Sequence, residues 1–200
     1  MHKFDRFQKF LDGQVSEVYP EPPSNLHTGI ARGAIQELFD AKIIAPGDRV
    51  LDVGCGSGFA LEIFAALGLS PVGVTLGPDY QVCRAKGLDV HEMDQSFIEY
   101  PEGYFDFLWC RHVLEHSVFP LFTLSEYHRL TRRGGHVYIE VPAPDTVAHH
   151  ERNANHYSVL GRSAWVSLFE RSGFSIVGWK DMEIPLLIGP DLYWSFLLKK

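Results

Sequence analysis

From Gly29 onward the chain alternates between two spacings of apolar residues. Gly29 to Ala41 places them on one face of a helix, and the Pro46-Gly47-Asp48 turn then leads into an apolar run, Arg49 to Val53. Short runs of the same kind follow at Pro71 to Thr75, Asp89 to Met93, Phe105 to Cys110 and His136 to Val141. Helical segments near 58–67, 79–86, 119–131 and 162–172 separate them. Apolar strands between helices imply a sheet covered on both sides, because parallel neighbours need a crossover between them. The pattern predicts an α/β fold, a doubly wound and mostly parallel sheet with helices on both faces. The end of the chain breaks this alternation. Phe174 to Glu183 and Leu192 to Leu198 both read as strands, and Ile184 to Pro190 between them leaves no room for a crossover helix. One antiparallel strand near the C-terminus is therefore expected.

Ahead of this region, Tyr19-Pro20-Glu21-Pro22-Pro23-Ser24-Asn25 cannot be helical throughout. Residues 1–28 read as a lid-like N-terminal extension, able to bring Tyr19 or His27 over a site, and residues 29–200 as the main domain.

The segment richest in chemistry is Val50-Leu51-Asp52-Val53-Gly54-Cys55-Gly56-Ser57-Gly58-Phe59-Ala60, a buried strand that runs through a glycine-rich turn into a helix. Such a turn lies where open α/β sheets bind ligands, its glycines admit a ligand close to the backbone, and the helix start offers N–H groups to a carboxylate. Dinucleotide enzymes use G-x-G-x-x-G at the same place. This chain has Phe59 where a third dinucleotide glycine would follow, and Asp52 stands two residues before the first glycine.

With that aspartate the segment resembles motif I of the class I S-adenosylmethionine-dependent methyltransferases, an apolar strand ending in D-x-G-x-G-x-G. The resemblance covers nearly the whole chain. Val72-Gly73-Val74-Thr75-Leu76 is similar to the family's second strand, and Met93-Asp94-Gln95-Ser96 to the loop after the third. Phe105 to His112 is similar to the fourth strand and its exit, and Leu130-Thr131-Arg132-Arg133-Gly134-Gly135-His136-Val137 to the helix stop before strand five. What the resemblance implies is a methyltransferase domain over residues 29–200 with S-adenosylmethionine as cofactor. Asp52, Gly54, Cys55, Gly56 and Gly58 would hold the methionine part, and Arg111 at the exit of strand four would lie beside the cofactor. Asp94 would accept from the adenine amino group, with Gln95 and Ser96 beside the base through their backbone. Thr75 stands where the family has Asp or Glu for the ribose hydroxyls, so that contact falls to Thr75, the Leu76 backbone or Asp79. A carboxylate at Asp52 suits an ammonium and would repel a pyrophosphate.

Ten histidines are many for 200 residues. His112-Val113-Leu114-Glu115-His116 matches the H-x-x-E-H peptidase signature, which requires a helix, whereas here it follows an apolar strand and precedes Pro120. Small-RNA 2′-O-methyltransferases look similar at this point, with E-x-x-E-H and a later histidine. His112 replaces their first glutamate, so the match is partial and no metal is expected; metal-assisted transfer is the alternative. His116 and His156 are expected to face the acceptor, one of them taking its proton as a neutral imidazole. His149, His150 and Glu151 flank them, and Ser158 is a candidate helix N-cap. That chemistry favours O-methylation of a small molecule or sugar over N-methylation. The rival from another class is a non-catalytic S-adenosylmethionine-binding subunit.

Charge and composition narrow the partners. A formal net charge of -7 opposes a polyphosphate, and the basic run Arg129 to Arg133 falls at an expected helix C-terminus, so no nucleic-acid partner is expected. No apolar stretch approaches the ~20 residues of a membrane span, and the N-terminus lacks a signal-peptide core, which points to a cytoplasmic protein with no membrane partner. Three cysteines, odd in number and far apart, read as reduced thiols.

Overall fold

A computed structural model describes residues 3–15, 25–187 and 189–200. Its helices are α1 (Lys3–Val15), α2 (Asn25–Asp40), α3 (Phe59–Ala66), α4 (Pro78–Ala85), α5 (Pro120–Leu130) and α6 (Arg162–Arg171). Its strands are β1 (Arg49–Val53), β2 (Ser70–Thr75), β3 (Val90–Glu92), β4 (Phe105–Arg111), β5 (Thr131–Pro142), β6 (Ser175–Leu186) and β7 (Gly189–Lys199). They form one seven-stranded sheet in the order β3-β2-β1-β4-β5-β7-β6. All pairings are parallel except those of β7, which runs antiparallel to both β5 and β6. The expected architecture is thus the one observed.

Alternation along the central strands sorts the core into two layers. Leu51, Val53, Leu108, Cys110, Val137 and Ile139 point to one face and pack with Leu124, Tyr127, Trp165 and Phe169 of α5 and α6. Val50, Phe107, Trp109 and Tyr138 point to the other, against Ala31, Ile35 and Leu38 of α2 and Phe64 of α3. The spacing of Ala31, Ile35 and Leu38 is that of one helical face. Phe64 is fully buried, with its ring edge-on to Phe107 and Trp109 at centroid distances of 6.4 and 5.8 Å.

Several boundaries differ from the pattern reading, each for a local reason. Helix α2 starts at Asn25, four residues before Gly29, so His27 and Thr28 belong to its first turn. The C-terminal hairpin is longer than expected, since pairing continues through Ile184↔Asp191 and Pro185↔Pro190 to Leu186↔Gly189. Facing prolines ask no N–H of each other, and β6 is an edge strand, where proline is tolerated. The basic run falls at a helix C-terminus as expected, with Arg129 in the last turn of α5. Arg129 binds Glu126 and the carbonyls of Ile98 and Tyr100, while Arg132 opens β5 and pairs with Asp106. Ser158 caps no helix: α6 begins at Arg162 after Gly161, and the Ser158 hydroxyl donates to the Ser117 carbonyl. Among the described residues, no helix is long and apolar enough to cross a membrane.

Strand order reverses between β1 and β4, which makes the crevice at their carboxyl ends the natural binding place. Because Phe64 wedges α3 onto that region, Phe64→Ala should cost about 3–5 kcal/mol of stability. Urea unfolding of the variant measures this loss, and a midpoint equal to that of the unmutated protein would refute the packing role.

Candidate active site

A cleft of about 360 Å³ opens at the β1/β4 switch point. Its first half is the glycine turn. Gly54, Gly56 and Gly58 all adopt positive φ (67°, 50° and 85°). At Gly54 the demand is also steric, since a Cβ there would lie 2.3 Å from Cγ2 of Val113, just beyond β4. A Cβ at Gly58 would meet Leu88 equally closely. Helix α3 follows with no side-chain cap, so the N–H groups of its first turn are left for a ligand at Phe59 and Ala60, which border the cleft.

Asp52 is buried at the end of β1, and its Oδ2 has no hydrogen-bond partner. Burial raises its pKa well above the ordinary carboxylate value. Burial thus favours the neutral acid, and an adjacent cation such as the ammonium expected from the sequence would favour the charged form instead. Register pairs Asp52 with Trp109, so Asp52, Trp109 and Arg111 stand on one face of the sheet. Arg111 forms a 2.8 Å ion pair with Glu140, while its Nη2 is buried without a hydrogen-bond partner. A lone acid and an arginine with a spare donor suit the two ends of an α-amino acid.

The other cofactor positions named from the sequence also converge here. Thr75, Leu76 and Asp79 border the cleft at the end of β2, and the Asp79 carboxylate comes within 3.8 Å of a Cβ placed on Gly56. Burial raises its pKa too. In the loop after β3, Ser96 N–H donates to Asp94 Oδ1 at 2.8 Å. Gln95 turns inward, donating to the Val113 carbonyl and accepting from Tyr127, which leaves the backbone of the loop toward the cleft. Cys55 borders the cleft as a free, buried thiol whose pKa burial raises; Cys83 and Cys110 are free as well.

Histidines and aromatics wall the second half. His27, His112, His116, Asn155 and Tyr157 border the cleft, but His156 does not. It stands behind His116 with ring centroids 4.7 Å apart, and its pKa is lowered to about 4 by burial and by His116 and His150. His116 Nδ1 donates to the Asn155 carbonyl at 2.9 Å, which fixes the tautomer with the proton on Nδ1. His149 is exposed beside Glu151, and His150 is tied to Asp191 at 2.8 Å. The H-x-x-E-H segment is no helix. His112 has φ +57°, only Leu114–His116 form a single 3₁₀ turn, and His112 Nε2 is committed to Glu140 at 2.6 Å. The peptidase geometry is therefore absent from this segment.

Glu140 was not legible as a site residue. It sits fully buried on β5, where burial would raise its pKa, but His112 and Arg111 pull it down to about 2. The available signal was an ionisable residue inside the apolar run His136 to Val141. Helix α1 lies across the mouth: Leu11 borders the cleft and the Phe7 ring is 5.0 Å from Phe119. Tyr19, named with His27 as a lid residue, lies outside the described residues.

Comparison with known proteins agrees with this geometry. The family model described as "Methyltransferase domain" matches residues 26–178. The ubiquinone biosynthesis O-methyltransferase of Proteus mirabilis is 28% identical over 152 residues, covering 68% of this chain and 58% of that protein. The chain spans about half the length of the curated relatives it matches. Among solved structures, a SAM-dependent methyltransferase from Archaeoglobus fulgidus superposes with TM-score 0.70 at 20% identity, over 86% of this chain and 94% of that one. The cyclase SpnF superposes with TM-score 0.72 at 18% identity, over 91% and 85%. The chain belongs to the methyltransferase-domain family. The expected family is thereby shown.

Ionising Asp52 in the ligand-free protein works against folding, because its folded pKa lies above its unfolded one. That cost is absent below the unfolded value and grows as pH rises through the folded one. Asp52→Asn should therefore melt higher than the unmutated protein at neutral pH, with the gap closing toward pH 3, yet bind S-adenosylhomocysteine at least tenfold more weakly. Melting curves against pH and calorimetry test the two together; unchanged affinity would remove Asp52 from the site.

Proposed function

We propose that this enzyme methylates a hydroxyl oxygen of a small molecule whose proton is drawn off at His116. The observation that carries the reading is the fixed tautomer of His116: its Nδ1 proton is held by a backbone carbonyl, and the residue borders the cleft. A neutral imidazole of that form suits a hydroxyl, which must lose its proton as the new bond forms. S-adenosylmethionine supplies the methyl group as a sulfonium. Asp52 pairs with the ammonium of its methionine part and Arg111 Nη2 with the carboxylate, while the Gly54–Gly58 turn and the start of α3 close around them. Asp79, with Thr75 and the Leu76 backbone, takes the ribose hydroxyls. Asp94 takes the adenine amino group, with the backbone of Gln95 and Ser96 beside the base.

His156, too weakly basic at about 4 to serve at neutral pH, packs behind His116 and keeps its ring in place. Oxygen as the target is supported by the name of the O-methylating relatives. A small acceptor is supported by the walls of the cleft, where Arg111 is the one lysine or arginine among the described lining residues and is already paired with Glu140. That leaves little for a polyanion.

Turnover by His116→Gln should fall roughly 10²- to 10⁴-fold with S-adenosylhomocysteine affinity nearly unchanged. The acid limb of the pH–rate profile should disappear with it. A screen of phenols and sugars with S-adenosylhomocysteine release as readout supplies the acceptor; near-normal turnover by the variant would refute the assignment.

The extension of residues 1–28 acts as a lid in this reading, with α1 over the mouth and His27 edge-on to His112 at 5.5 Å. Proteolysis within residues 1–28 should slow when S-adenosylhomocysteine is bound. Cutting at equal rates with and without it would make the segment a bystander.

A further inference from the structure

We propose that Glu115, His116 and His156 form a binding site for one divalent transition-metal cation on the acceptor side of the cleft. This inference rests on the reading that a small-molecule hydroxyl is methylated beside His116, and it replaces proton uptake by that imidazole with loss of the proton of a metal-bound hydroxyl to solvent. One carboxylate oxygen and one ring nitrogen from each histidine lie within 4.8 Å of one another. A tetrahedral ion holding nitrogen and oxygen ligands at about 2.1 Å sets them about 3.4 Å apart, so closure needs only small side-chain rotations.

The three groups are brought together by the fold and not by the H-x-x-E-H spacing. Glu115 and His116 come from the 3₁₀ turn after β4, and His156 from the loop after β5. Three hydrogen bonds lash the two segments side by side. Ser158 N–H donates to the Glu115 carbonyl at 2.9 Å, the Ser158 hydroxyl to the Ser117 carbonyl at 2.7 Å, and His116 Nδ1 to the Asn155 carbonyl at 2.9 Å. The last of these is the support that metal-bound imidazoles commonly have, a backbone acceptor on one nitrogen that presents the other to the ion. An independent observation points to a ligand: His156 Nδ1 is buried and has no hydrogen-bond partner. Burying that nitrogen is costly unless something joins it.

Two imidazoles and one carboxylate are a borderline set, suited to zinc, cobalt, iron or manganese more than to magnesium or calcium. Three protein ligands leave a position open, and His116 borders the cleft, so the open side meets the acceptor. A cation there lowers the pKa of the oxygen it meets and does the proton-withdrawing work without a strongly basic imidazole. His112 takes no part, being held by Glu140.

The experiment is a cobalt(II) titration of the full chain after dialysis against EDTA, followed by its visible absorption and by calorimetry, with zinc as competitor. One equivalent should bind with tetrahedral d–d bands. Glu115→Gln and His156→Asn should each weaken binding at least tenfold, while His149→Asn, at an exposed histidine, should leave it unchanged. Retained S-adenosylhomocysteine binding certifies that each variant is folded. No bound cobalt, or binding that survives in both variants, overturns the proposal. Chelated protein that still turns over at full rate overturns it as well while leaving the hydroxyl-methylating reading intact. Tight cobalt binding in a protein that methylates no hydroxyl would support the site and refute that reading instead.

Discussion

A carboxyl group buried at the end of β1 with one oxygen unpartnered is driven toward its neutral form, and the cleft is arranged around it. Asp52 sits between β2 and β4 at the point where strand order reverses, so neither neighbouring strand can cover it with a helix of its own. The three glycines curl the chain away from it, and Val113 packs so close to Gly54 that the exit of β4 and the glycine turn must be shaped together. The cofactor half of the cleft is the space this constraint leaves.

Glu140 makes the contrast that gives Asp52 its meaning. Both are buried carboxylates on the same face of the sheet, four strands apart in sequence order but with only β4, the strand of Arg111, between them in the sheet. Glu140 is answered within the protein, by Arg111 at 2.8 Å and His112 at 2.6 Å, and its pKa falls to about 2. Asp52 has no such answer, and its pKa rises. A buried acid that the protein neutralises itself braces a wall, here the one formed by Arg111 and His112, and a buried acid left for a ligand marks where the ligand belongs. His112 holds its positive φ because the backbone bond to the Glu140 carbonyl and the side-chain bond to its carboxylate fix it from both ends.

What could be read from the sequence divides along the same line. The sheet, the antiparallel β7 and the cofactor half were legible because each depends on residues near one another in the chain: a five-residue apolar strand, a glycine turn, the Asp94-Gln95-Ser96 loop. The early start of α2 was missed because Asn25 to Thr28 carry few apolar residues, and the long β6–β7 hairpin because prolines 185 and 190 look like strand breakers until they face each other. The acceptor half was less legible. It is assembled from α2, the exit of β4 and the loop after β5, and periodicity says nothing about which histidine on those segments reaches the cleft. His116 does, His156 stands one layer behind, and His149 points to solvent.

That division bears on how far likeness to known folds can be carried. The same sheet superposes on a methyltransferase and on the cyclase SpnF with nearly equal scores, so the shared architecture specifies a place to bind and leaves the reaction open. The proposed acceptor side lies beyond β4 and β5, where the strands have ended and side chains are held by hydrogen bonds across loops. In this chain those bonds run from Ser158 to Glu115 and Ser117 and from His116 to Asn155, and they hold the His116 imidazole at the cleft without help from the sheet. Changes in these loops can therefore alter the acceptor or the chemistry while Asp52 and its glycine turn stay as they are, because the two halves of the cleft are built from different hydrogen bonds and meet only at the exit of β4.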